Sequence, residues 1–112
     1  MYTYKATVYN VYDGDTFKAE VDLGFHVNCK LTFRLGRVNT PELRGGTVET
    51  KMEGIKARDR VRNLILNKEV TIKTEKTGKF GRWIAEVFLP GGENLSDLLV
   101  TESLGVYLEY KS

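Results

Sequence analysis

The sequence has very little of the side-chain chemistry that many enzymes and small secreted proteins depend on. Its 112 residues include one cysteine, Cys29, and one histidine, His26. A single cysteine excludes an internal disulfide framework and a multi-thiolate zinc site. A single histidine with no obvious orienting partner nearby in the sequence argues against Ser-His-Asp or Cys-His catalysis. Any catalysis would therefore depend on carboxylates and arginines.

The sequence also has few prolines and no long apolar run. Two prolines, 41% hydrophobic residues and 29% charged residues exclude a disordered or low-complexity chain. No apolar run approaches the roughly 20 residues that a membrane span needs, and residues 1–7 lack the apolar segment of a signal peptide. We therefore expect a cytoplasmic monomer with no membrane partner, folded as a single domain over residues 1–112.

Positive charge is concentrated in the middle of the chain. The formal net charge is +2, but residues 51–82 hold ten basic and four acidic side chains. Such a segment could present a positive field to phosphates. A solvated helix face followed by a charged hairpin would have the same composition.

Five segments have the composition and alternation of β-strands. They cover residues 4–12, 16–23, 30–38, 70–73 and 83–89. An Asp-Gly pair between the first two segments predicts a hairpin turn.

The sequence between the third and fourth segments predicts a helix. Thr50 and Glu53 fit a capping box, and apolar residues recur at helical spacing over residues 54–65. Asn67 is suited to end this helix in a left-handed conformation.

A second helix is predicted near the C-terminus. Asn94 would cap it, with Asp97 at its third position and Gly105 just past its end. The order of elements predicts a mainly β fold with added helices. It is a five-stranded Greek-key OB-fold barrel, with one helix between strands three and four and another near the C-terminus.

Two short motifs carry carboxylates. In the DGDT segment, Asp13 and Asp15 could place oxygens near one hard cation such as calcium, although polar Asp-Gly turns are common. In the NTPE segment, proline would hold the Thr40 carbonyl and the Glu42 carboxylate in place. Glu42 could then act as a general base, or it could simply be exposed in a turn.

Two other features carry cations. Arg34 points away from its core-facing neighbours on strand three, where a guanidinium could grip a phosphate or form a cross-strand ion pair. In the loop that follows strand four, Lys79 and Arg82 could bind phosphates and Phe80 could stack on a base. A solvated hairpin tip would have a similar composition.

Taken in order, these motifs occur in a known family. The chain resembles the staphylococcal nuclease (thermonuclease) family over about residues 7–106, through the segments VYDGDTF, TFRLGRVNTPE, EGIKA and KFGRWIAEV. That family has an OB-type barrel and hydrolyses phosphodiester bonds of DNA and RNA with calcium. The 5′ oxygen is the leaving group and the products carry 3′-phosphates. The resemblance therefore implies a Ca²⁺ cofactor and DNA or RNA as the partner.

The resemblance also implies a set of metal ligands. Asp15 matches the first calcium ligand and Thr40 would contribute its backbone carbonyl. Asn39 lies where the family usually has a second carboxylate. An amide oxygen can still bind calcium, but the lost negative charge predicts weaker binding.

By the same match, Glu42 is the carboxylate that orients or deprotonates the attacking water. Arg34 and Arg82 match the two arginines that bind the reacting phosphate. We expect three further substrate-binding residues, Lys79 from the composition of its loop, and Phe80 and Tyr107. Phe80 replaces a frequent tyrosine, so stacking is kept and a hydroxyl contact is lost, and Tyr107 could instead pack against the barrel rim.

Two other functions stay open at this point. Asn39 motivates a non-catalytic OB-fold module that binds single-stranded nucleic acid, because a weakened metal site could silence cleavage. A protein-interaction module is the third possibility. The joint presence of Asp15, Arg34, Glu42 and Arg82 argues against it.

Overall fold

The fold is built mainly from β-strands that close on themselves. The computed structural model describes residues 2–43, 45–77 and 83–108. Its elements are β1 (Tyr2–Asp13), β2 (Thr16–Asp22), β3 (Asn28–Leu35), β4 (Val38–Asn39), α1 (Val48–Ile65), β5 (Glu69–Thr77), β6 (Trp83–Phe88), α2 (Leu95–Thr101) and β7 (Val106–Tyr107). Strands β1-β2-β3-β6-β5 form a closed barrel, and β4 pairs with β7 in a separate sheet. This confirms the predicted mainly β, OB-type barrel, with α1 between the third and fourth barrel strands and α2 after the fifth.

Barrel closure depends on strands that are distant in sequence. β1 pairs antiparallel with both β2 and β5, and β3 runs parallel to β6, with Phe33 opposite Trp83. Each barrel strand is therefore paired on both sides, which removes the exposed edges that an open sheet would present.

The core follows from the two-residue period of the strands. Alternate positions of β2 and β3 point inward, and the rings of Phe17 and Phe33 stack there with centroids 5.5 Å apart. Leu35, Ile72 and Val87 are fully buried around them.

Helix α1 covers the barrel with the face that its apolar spacing predicts. The buried residues on that face are Gly54, Ala57, Val61 and Ile65. The predicted cap at Thr50 is wrong, because the Thr47 hydroxyl accepts the Thr50 N–H at 3.1 Å and the helix begins three residues earlier. Asn67 has a φ of 60°, as predicted, although the C-cap itself is Leu66.

The predicted third strand is also wrong in its extent. The segment 30–38 is not continuous, because β3 ends at Leu35 and the chain resumes strand structure at Val38. Between them Arg37 has a φ of 65°, and the carbonyl of the preceding glycine accepts the Ser96 hydroxyl at 2.8 Å. The chain therefore turns here, and the residues after the turn pair with β7 instead of β6.

In the C-terminal half, the second helix and its N-cap are confirmed. The Asn94 side chain accepts the Asp97 N–H at 3.1 Å. The predicted end just before Gly105 is wrong, because the helix ends at Thr101 with Glu102 as its C-cap.

The predicted strand 70–73 is too short, because β5 extends from Glu69 to Thr77. Pairing with both β1 and β6 holds the polar residues at its ends in the sheet. None of the helices in the described part of the chain is long and apolar enough to cross a membrane.

Candidate active site

A cleft of about 280 Å³ opens where the β1–β2 turn meets the ends of β3 and β4. It is lined by four of the residues that the sequence singles out, Asp15, Arg34, Asn39 and Glu42. These residues come from three parts of the sequence, the DGDT turn, Arg34 on β3 and the NTPE segment, and barrel folding brings them to one place.

The β1–β2 turn fixes the position of Asp15. The Asp13 carboxylate accepts the Asp15 N–H at 3.0 Å, and the Asp15 carbonyl accepts the Leu35 N–H at 2.8 Å. A Cβ atom at Gly14 would lie 2.7 Å from the Thr40 hydroxyl oxygen, so a larger residue would clash there. The turn is thus held against both β3 and the segment that follows β4.

The Arg34 guanidinium lies among the oxygens of the cleft. Its Nη1 donates to the carbonyls of Leu35 at 2.8 Å and Val38 at 3.2 Å. Its Nη2 donates to Asn39 Oδ1 at 3.2 Å and lies 3.5 Å from Asp15 Oδ2. A positive group therefore faces the oxygens of two side chains that the resemblance identifies as metal ligands.

Thr40 packs directly against the Asp15 carboxylate. Its backbone N–H donates to Asp15 Oδ2 at 3.2 Å, and Asp15 Oδ1 accepts the Thr16 hydroxyl at 3.2 Å. Asp15 and Thr40 are both buried. The Thr40 hydroxyl oxygen has no hydrogen-bond partner within the described residues.

Glu42 is exposed at the edge of the same cleft, on a loop held by α1. A Cβ atom at Gly54 would lie 2.9 Å from the Pro41 carbonyl oxygen and 3.0 Å from that of Glu42. Only glycine allows the helix to approach this backbone so closely. The sequence predicted Gly54 as part of a helix face but gave no reason to connect it with Glu42.

Asp13 adds a second carboxylate beside Asp15. Burial first, and then the side chain and negative charge of Asp15, raise the pKa of Asp13 to about 6, although the hydrogen bond from the Asp15 N–H acts in the opposite direction. This end of the cleft therefore carries negative charge that a bound cation would offset.

Tyr12 also lines the cleft, and the sequence analysis gave it no role. The register between β1 and β2 shifts between Val11 and Asp13, so Tyr12 is the extra residue of a β-bulge. A bulge of this kind has no clear signal in a strand-like sequence, because it depends on how two strands pair.

Tyr107 lies outside this cleft. On β7, its hydroxyl donates to Asp97 Oδ1 at 2.8 Å and its ring centroid is 5.8 Å from the Arg37 guanidinium carbon. Three other predicted site residues fall outside the described residues: Lys79, Phe80 and Arg82. The substrate roles of all four stay predictions.

Comparison with known families gives one assignment. The family model described as staphylococcal nuclease homologue matches residues 32–112. Comparison with curated proteins gives no match. The matched segment is well over half of the chain and contains Arg34, Asn39 and Glu42. The chain therefore belongs to the staphylococcal nuclease homologue family.

Proposed function

We propose that the chain is a calcium-dependent nuclease that hydrolyses phosphodiester bonds of DNA, RNA or both. Family membership supports a nuclease or a nucleic-acid-binding OB-fold. The observation that carries the more specific proposal is the single cleft in which Asp15, Arg34, Asn39 and Glu42 meet. Those residues combine metal-binding oxygens, a phosphate-binding cation and a carboxylate that is open to water.

The donor set fits a hard cation. Asp15 Oδ2 and Asn39 Oδ1 both face Arg34 Nη2, so their oxygens already converge on a positive group. Together with the Thr40 carbonyl they would hold calcium, which accepts carboxylate, amide and carbonyl oxygens in irregular geometry. When bound, the ion would offset the charge of the phosphate and favour formation of the nucleophile.

The same donor set predicts modest affinity. Over residues 2–43, 45–77 and 83–108, no three His, Cys, Asp or Glu side chains are grouped as they would be in an all-acid metal site. Calcium affinity is lower when fewer of the ligands carry a negative charge. We therefore expect a site that fills only at high calcium concentration.

Arg34 and Glu42 supply the remaining chemistry. Arg34 would donate two hydrogen bonds to non-bridging phosphate oxygens, whose negative charge grows as the transition state forms. Glu42 would take a proton from the attacking water as that oxygen bonds to phosphorus. The bond from phosphorus to the 5′ oxygen then breaks, and that oxygen takes a proton from solvent, which leaves a 3′-phosphate.

Digestion assays test this proposal. Purified protein is incubated with single- and double-stranded DNA and RNA in calcium, magnesium or EDTA, and phosphatase sensitivity identifies the product ends. We expect cleavage in calcium, none in EDTA, and 3′-phosphate products. Glu42→Gln should lower kcat about 100-fold or more, while Glu93→Gln, an exposed carboxylate outside the cleft, should match the wild type. An unchanged rate for Glu42→Gln would contradict the mechanism.

Asn39 favours a second candidate, a module that binds single-stranded nucleic acid without cutting it. The amide leaves Asp15 as the one carboxylate in the proposed ligand set. This function predicts salt-sensitive binding and no cleavage in any divalent ion. Appearance of cleavage in Asn39→Asp, from an inert wild type, would support it.

A further inference from the structure

The outer surface of β1 carries two tyrosines that the cleft chemistry does not require. The register between β1 and β2 shifts at two places, and the extra residues there are Tyr9 and Tyr12. A bulge turns its extra side chain to a new direction. These two side chains are 42% and 50% exposed, respectively, and Tyr12 lies in the cleft itself.

Contacts that fix the two bulges of β1 are made by its backbone groups and not by the tyrosine rings. Backbone groups at the bulges are tied to other elements: the Val11 carbonyl accepts two hydrogen bonds from Arg62. At the other bulge, the Val8 carbonyl accepts the Asn67 N–H at 2.7 Å, and the Val8 N–H donates to the Lys68 carbonyl at 3.1 Å. These contacts hold the bend of β1 against α1 and the start of β5. They do not involve the two rings, so the bulges themselves do not require aromatic residues at these positions.

Lysines accompany the two rings on the same face. Lys30 Nζ lies 5.4 Å from the Tyr9 ring centroid. Lys18 is exposed on β2, between the cleft end of the strand and Glu20, which lies opposite Lys30. Moving along this face from the cleft, the tyrosine rings and Lys18 come before Glu20, the first carboxylate on β2.

We propose that this surface, the tyrosine track (Tyr9, Tyr12, Lys18 and Lys30), binds the single-stranded nucleic acid that extends from the cleft. The exposed rings would stack on bases and the lysines would contact phosphates. The tyrosines are three residues apart on an extended strand, roughly 10 Å, so each would meet a different base. The path of the bound nucleic acid, from the cleft along β1, rests on the proposed function, because Tyr12 connects the track to the cleft.

Single strands are the occupant that fits this chemistry. Stacking on a side chain needs an unstacked base, which a duplex does not offer, and any base has a face that fits. The contrast is Phe25 at the tip of the β2–β3 hairpin, which is 98% exposed but lies outside the cleft and beyond Glu20 on the chain. It serves as the matched control for an exposed aromatic ring.

Binding is measured without catalysis. Fluorescence anisotropy follows labelled oligothymidylate and oligouridylate of about 15 nucleotides in EDTA, with the full chain. The double variant Tyr9→Ala/Tyr12→Ala should bind both probes about 100-fold more weakly, roughly tenfold for each ring. Tyr9→Phe/Tyr12→Phe should bind as the wild type does, because stacking is kept. Phe25→Ala should also be unchanged.

The lysines are tested by salt dependence. Lys18→Ala/Lys30→Ala should reduce the slope of log affinity against log salt by about 1.4, or about 0.7 for each lost phosphate contact. Lys73 is the matched control, because its Nζ lies 5.2 Å from the Phe88 ring centroid in an equivalent pair on β5 and β6. Lys73→Ala should leave the slope unchanged.

Two results would overturn the track. One is a double tyrosine-to-alanine variant that binds both probes within about twofold of the wild type. The other is a duplex of the same length bound as tightly as the single strand. Failure of the nuclease proposal gives a different result. If the protein needs the tyrosines to bind but cuts no substrate in calcium, the tyrosine track is supported and the nuclease proposal is contradicted. If the protein cuts in calcium while the alanine variants bind as the wild type does, the nuclease proposal is supported and the tyrosine track is contradicted.

Discussion

Arg34 and Arg37 lie three positions apart in the sequence, but the structure gives them different surroundings. Arg37 donates to Glu86 at 3.0 and 2.7 Å and to Asp97 at 3.1 Å. These carboxylates, Glu86 first, raise the pKa of Arg37. Arg34 instead donates to two carbonyls and an amide, and its distance to the one carboxylate, Asp15, is 3.5 Å.

The difference fits a structural role for Arg37 and the proposed phosphate-binding role for Arg34. A phosphate replaces neutral acceptors more easily than it replaces two charged ones, because ionic hydrogen bonds are about twice as strong. Arg34 is therefore the arginine that can turn to a substrate. Arg37 joins β6 to α2 through Glu86 and Asp97, and its carbonyl also accepts the Leu108 N–H at 2.9 Å.

The largest effect expected from this comparison is on catalysis. Arg34→Ala should lower kcat by about 100- to 1,000-fold, the usual cost of losing one preorganised donor in a transition state. Arg34→Lys should recover only part of the rate, because an ammonium cannot make the two parallel hydrogen bonds. Steady-state cleavage of DNA in calcium measures both, with urea unfolding as the check on folding. Full activity in Arg34→Ala would reverse the assignment.

Arg37→Ala should act on stability instead. Removing the guanidinium leaves Glu86 and Asp97 without their cation and should lower the free energy of unfolding by about 1–3 kcal/mol. The folded variant should keep its cleavage rate, measured at low temperature. Arg58→Ala is the control, since the ion pair that Arg58 forms within the described residues is with its sequence neighbour Asp59. A rate loss in Arg37→Ala without a stability loss would place Arg37 in the site.

Asn39→Asp should make the surroundings of Arg34 more like those of Arg37. The new carboxylate adds a charged acceptor to Arg34 Nη2, which now donates to the Asn39 amide oxygen. It also adds a charged ligand for calcium, so affinity should rise roughly tenfold, in line with the dependence on ligand charge. Calcium titration by calorimetry measures this, with Asn63→Asp on an exposed face of α1 as the control. Equal calcium affinity in Asn39→Asp and the wild type would exclude this side chain as a ligand.

The smallest expected effect is at acid pH. The Arg37 guanidinium, and after it the Tyr107 hydroxyl, hold the pKa of Asp97 below its ordinary value of 3.8. A carboxylate whose pKa is lower in the folded state stabilises the fold above its unfolded pKa and loses that contribution as pH falls through the folded value. Asp97→Asn should therefore lose less stability than the wild type between about pH 6 and about pH 3, as measured by urea midpoints. An equal loss of stability in Asp97→Asn and the wild type would show that Asp97 does not contribute to the pH dependence of stability.

The sequence was most informative about structural features that depend on residues close together in the chain. The buried face of α1 follows from residue spacing, and the Asn94 cap follows from a side chain and a backbone group three positions apart. The N-terminus of α1 was misplaced because Thr47 and Thr50 both suit a cap, and their hydroxyls lie within 3.0 Å of each other. Local signals of equal quality cannot be ranked without the packing around them.

The distinction between the two arginines was beyond local reasoning. Both occur on a strand-like segment, and the partners of Arg37 are 49 and 60 residues away in the sequence. The break of β3 after Leu35 and the bulge at Tyr12 likewise depend on pairing between strands. The motifs could therefore predict several of the residues that line the cleft. They could not predict which neighbours hold each of them.

The parallel pairing of β3 with β6 also bears on how the protein acquires its shape. The lining of the cleft comes from residues 12–43, but the barrel beneath it closes only when β5 and β6 pair with β1 and β3. Contacts between such distant segments slow folding relative to helical proteins of similar size. During synthesis, the first half of the chain therefore leaves the ribosome with its inward-facing apolar residues still uncovered. Until β6 has emerged, these uncovered residues and the unpaired edge of β3 expose the nascent chain to aggregation.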